Sequence, residues 1–144
     1  MNKEEIFNVF YEKDKWEVYR KFQEIENSIE DSNELYQYFD EIKNMLLNEK
    51  THIRVRGFRI ICKLAKYDEE NKINDIIDIL LNELDDEKTT AVRHCLEALN
   101  MLLLYKLDLS DKIEKKLRNI DYSKYKDSII PLIKKDIDHI LENL

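Results

Sequence analysis

Glycine and proline are almost missing from this chain. It has one of each, Gly57 and Pro131, in 144 residues. Tight hairpins need residues that accept positive φ, so the chain is poorly equipped for a β-rich fold. Cysteine is scarce too. Cys62 and Cys95 stand far apart in apolar helical patterns, with no CxxC or zinc-type Cys/His spacing. They read as buried thiols of a reducing compartment. No apolar run approaches the roughly 18 residues that cross a membrane. The longest, MLLLY, reads as a core segment. The opening MNKEEIFNVF lacks the apolar stretch of a secretion signal,. The expectation is one cytoplasmic domain over residues 1–144, long enough to bury a core.

Catalytic signatures are missing as well. There is no P-loop, GxGxxG, HExxH or GxSxG,. His52, His94 and His139 fall in three different helical patterns. His94 with Glu97 and Asp136 with His139 are spaced one helical turn apart, but a metal needs a third or fourth ligand. The chain is therefore expected to be neither an enzyme nor a holder of a metal or cofactor.

What remains is rich in Leu, Ile, Lys, Glu, Asp and Asn, a composition suited to helices joined by short polar turns,. Trp16, Tyr19, Phe22, Ile25 and Ile29 recur at helical spacing, and Asp14 stands in capping position before them. Further helices are expected over about Glu34–Asn48, Thr51–Lys66, Lys72–Leu84, Thr89–Tyr105, Ser110–Asn119 and Ser123–Leu144. Pro131 should kink the last one or mark a new start. Phe7, Phe10, Tyr11, Trp16 and Tyr19 read first as packing within a terminal cap, and as a binding platform second.

Two stretches align around Val-Arg pairs, Val55-Arg56 and Val92-Arg93, separated by 93 minus 56, or 37 residues. Thirty-six residues before Arg56 stands Arg20, and 33 after Arg93 stands Lys126. A period in this range, with two helices per unit, is the mark of a helical repeat. On these residues the chain resembles HEAT repeats. In that family an acid in the turn precedes Val-Arg at the start of the second helix, as Asp86 and Glu87 precede Val92-Arg93 here. Asp14 before Arg20 fits too. Lys50 departs from the pattern, and so does Lys126. The resemblance implies an all-α fold of antiparallel helix pairs stacked into a short right-handed α-solenoid, with second helices lining the inner surface. Armadillo-type stacking shares this layout.

Net charge is −7, yet residues 51–67 carry Arg54, Arg56, Arg59, Lys63 and Lys66 without a carboxylate. On a helix turning about 100° per residue, His52, Arg56, Arg59, Lys63 and Lys66 share one face and Arg54 points elsewhere. Gly57 falls on the apolar side, where it should admit a neighbouring helix closely. The plain reading of the stripe is a solvated face. The functional reading is a basic groove for an acidic segment of another protein, carried by His52, Arg56, Arg59, Lys63 and Arg93. The expectation is a non-catalytic interaction or scaffold module. Two alternatives remain: a nucleic-acid binder akin to the HEAT-like DNA alkylation repair glycosylases, and a subunit that dimerises through an apolar end face around Ile129–Leu141. A net-acidic chain opposes phosphate backbones unless several helices supply cations.

Overall fold

The computed structural model describes all 144 residues. It is all-helical, without a strand. Eight α-helices follow in order: α1 (Lys3–Tyr11), α2 (Trp16–Ser28), α3 (Phe39–Asn44), α4 (Thr51–Leu64), α5 (Lys72–Leu81), α6 (Thr89–Tyr105), α7 (Ser110–Arg118) and α8 (Ile130–Glu142).

The shortage of glycine shows in how the helices end. Helices commonly stop on a glycine at positive φ. Here α3, α4 and α5 instead tighten into 3₁₀ turns, Met45–Leu47, Ala65–Tyr67 and Asn82–Asp85, which satisfy last carbonyls without a left-handed residue. Only Asn71 takes positive φ, at 57°. Asparagine tolerates that region better than most residues.

Two boundaries differ from the sequence reading. Glu34–Asn48 is not one helix, because Glu34–Tyr38 is 3₁₀ and only Phe39–Asn44 is α. The last helix begins at Ile130, with Pro131 in its first turn. Proline lacks an N–H, and the first turn needs none. Residues from Ser123 up to that point form turns.

Apolar faces spaced at helical intervals merge into one core. Phe10, Phe22, Phe39, Phe58, Ile77 and Leu99 are fully buried within it. Contacts run in series, α2 against α4, α4 against α6, and α6 against α8, while α3 packs on α4. Gly57 sits where α4 crosses the end of α3. A Cβ there would come within 2.8 Å of the Met45 Cβ, which accounts for the chain's one glycine. The apolar face of α8 is turned inward, with Ile133, Ile137 and Ile140 buried. The expected open end face is therefore largely used inside the fold. No helix is long and apolar enough to cross a membrane.

The aromatic cluster divides. Phe10 is buried between Phe7 and Phe22 at edge-to-face geometry. Trp16 remains 70% exposed and stacks on Tyr19.

Candidate functional site

A cleft of about 850 Å³ opens where the amino-terminal parts of α2, α4 and α6 meet the segment before α8. Helix α4 contributes Thr51, His52, Val55, Arg56 and Arg59. Helix α6 and its approach contribute Glu87, Lys88, Thr89, Thr90 and His94. Lys124 and Lys126 close one side, and Asp14, Tyr19 and Phe22 the other.

Two helix starts without an acid in their first turn line this space. They are those of α4 and α6, and neither has a side-chain cap. Helices α1, α2, α3, α5 and α7 carry Asp or Glu in the first turn, and of the remaining helices α8 shares the lack. The first amides of a helix are unbonded and carry the positive end of its dipole. The charged lining residues are Arg56, Arg59, Lys88, Lys124 and Lys126 against Asp14 and Glu87, with Arg59 matched by Glu26 behind it. The cleft is locally basic on an acidic molecule.

Arg56 is not on a solvated face, as the helical wheel suggests, but 5% exposed. The reason lies in α1, whose carboxyl end packs against this part of α4. Arg56 Nη1 donates to the carbonyls of Phe10 at 3.0 Å, Glu12 at 2.6 Å and Val9 at 3.3 Å. A guanidinium thus serves the orphan carbonyls that end a helix. Its Nη2 has no hydrogen bond. The nearest acid, Asp14, lies at 3.6 Å and is itself largely exposed. Burial draws Arg56 below its usual pKa, against the pull of Asp14 and Glu12.

Arg59 grips Glu26 of α2 with two bonds, Nε to Oε2 at 2.9 Å and Nη2 to Oε1 at 2.7 Å. Its guanidinium also lies 5.3 Å from the centre of the Phe22 ring. Its charge is therefore matched inside the fold. His52 is half-buried, and its Nε2 is enclosed without a partner. Burial, and then the neighbouring Arg56, lower its pKa, which favours the neutral ring.

The five residues singled out from sequence are thus divided. His52, Arg56 and Arg59 meet in the cleft. Lys63 lines a smaller hollow with Glu26 and Glu97, and Arg93 lines another between α6 and α8. Arg93 pairs there with Asp136, Nε to Oδ2 at 2.7 Å. His94 borders all three spaces. Lys88, Lys124 and Lys126 belong to the cleft without forming part of the stripe on α4. The acid-free starts of α4 and α6 were the readable signal for their neighbourhood.

Arg54, which the wheel set apart, joins α4 to the next helix pair. Its Nε donates to Glu83 at 3.0 Å, Nη2 bonds Asp86, and Nη1 donates to the carbonyls of Asn48 and Glu49.

Comparison with known proteins adds nothing to this geometry: no family model matches the chain, nor does any curated protein or solved structure.

Proposed function

We propose that the chain is a non-catalytic interaction module. In this reading its helix pairs are HEAT-like repeats, stacked in a short right-handed solenoid. The cleft at the starts of α4 and α6 receives an acidic segment of another protein. The serial contacts α2–α4–α6–α8 support the stacking. The single observation that carries the function is the cleft's cationic lining around two helix starts that hold no acid of their own. Such helix starts favour anions. In this reading Cys62 and Cys95, both buried and outside any disulfide, belong to a reducing, cytoplasmic setting.

The test is calorimetric titration with a glutamate-rich peptide at low and moderate salt. Reversing two exposed cations, Lys88→Glu with Lys126→Glu, should weaken binding at least about tenfold, or ~1.4 kcal/mol. Added salt should weaken it as well, since these charges face solvent. Unchanged affinity in the reversed variant would sink the reading. Equal or tighter retention of DNA, lost with the same variant, would move it to the nucleic-acid alternative.

A further inference from the structure

A buried guanidinium has five N–H donors to satisfy. Arg56 spends Nη1 on the end of α1. Its side chain is only 7% exposed, yet Nη2 is unbonded. A buried, unpartnered donor on a charged group is costly to keep. The enclosed Nε2 of His52, one helical turn away, is unpartnered as well. Both residues line the cleft, beside the uncapped start of a 14-residue helix. Only Asp14 approaches Nη2, at 3.6 Å, beyond hydrogen-bond range, from a side chain 68% exposed. It is a largely exposed counter-ion that makes no hydrogen bond to Arg56.

We propose that Arg56 Nη2, His52 Nε2 and the open start of α4 form a phosphomonoester pocket, with Asp14 as its placeholder in the empty protein. A phosphorylated side chain of the partner would displace Asp14 and anchor the segment. This rests on the cleft reading above. The donors are of three kinds, a guanidinium edge, an imidazole and main-chain amides, with Thr89 and Thr90 lining the same cleft. A tetrahedral dianion offers three acceptor oxygens to such a set. A planar carboxylate offers two. The imidazole need not be charged, because a neutral ring with its hydrogen on Nε2 donates equally well.

The experiment follows the ¹⁵N signals of His52 by NMR while inorganic phosphate, or acetate at equal ionic strength, is added to the full chain. Phosphate should shift the Nε2 signal saturably, and acetate should not. Asp14→Asn, an exposed change, should tighten phosphate by about two- to fivefold, the worth of losing one competing exposed ion pair. In His52→Leu, where the ring probe is gone, the main-chain amide signals of Thr51 to Arg54 should report weaker phosphate binding. Arg56→Lys should abolish it, with thermal melts confirming the fold. Equal shifts by both anions, or no gain with Asp14→Asn, would overturn the pocket. A phosphoserine peptide should also outbind its glutamate counterpart. If the two bind alike and both depend on Lys88 and Lys126, the cleft reading stands and the pocket falls. If neither peptide binds while phosphate still shifts His52, the pocket stands and the peptide reading falls.

Discussion

Asp68 and Lys106 meet inside the protein, with Nζ 3.2 Å from Oδ2 and both side chains sealed from solvent. The carboxylate also accepts from the Tyr36 hydroxyl at 2.6 Å and from the amides of Lys72 and Ile73 at 2.9 and 3.0 Å. Lys106 Nζ adds the Asn71 Oδ1 at 2.7 Å. One acid thus binds the start of α5, the segment before α3 and the end of α6. Burial and the bond to Asp68 push the Tyr36 hydroxyl well above its ordinary pKa.

Removing Lys106 leaves that carboxylate buried without its cation. Lys106→Ala is expected to cost roughly 3–5 kcal/mol, the range for breaking buried pairs. Urea denaturation of the variant measures it. A cost under about 1 kcal/mol would mean that the pair is no better than a surface contact.

Gly57→Ala sets two effects against each other. Alanine favours a helix interior by about 1 kcal/mol over glycine. The new Cβ must displace Met45, and overpacking costs typically 1–3 kcal/mol. The contact at 2.8 Å involves a Cβ, which is fixed to the main chain. The variant should melt lower than the parent, and a higher melting temperature would show that α3 and α4 can part freely.

Arg59 belongs to Glu26 more than to the cleft. Arg59→Ala should lose roughly 2–3 kcal/mol, because Glu26 is then left buried and charged. Adding Glu26→Gln should restore part of that loss. The double-mutant cycle reads the coupling directly, and purely additive costs would deny the pairing.

His52 titrates below a free histidine, first because it is buried and then because Arg56 is near. A depressed histidine resists the proton that the unfolded chain accepts. Its contribution to stability is therefore complete above the unfolded value of about 6.5, and is lost as pH falls through and below it. The ring signals should titrate with a midpoint below that value. His52→Gln should reduce the loss of stability between neutral and mildly acidic pH, measured as a difference from the parent. A midpoint above 6.5 would contradict the burial.

Much of this fold was legible in apolar spacing. The faces of α2, α4, α5, α6 and α8 follow the sequence periodicity, and Gly57 faces the helix crossing it implied. The stripe on α4 was misread at Arg56 for a physical reason. A wheel counts every charge as solvent-seeking, yet the neighbour at that angle is the carbonyl end of α1, which solvates a guanidinium as water would. Arg54 and Arg59 likewise found acids 29 to 33 residues away, and no local pattern names such partners. The segment Glu34–Asn48 carried helical spacing, but its first turn closed as 3₁₀. Lys124 and Lys126 entered the cleft only because the chain turns there before Pro131.

The grip of Arg56 on α1 also orders events at the ribosome. The carbonyls of Val9, Phe10 and Glu12 wait for a side chain made more than forty residues later. The amino-terminal helix can pack on α2 early, through Phe10 and Phe22, but its last carbonyls are served only after α4 has emerged behind it.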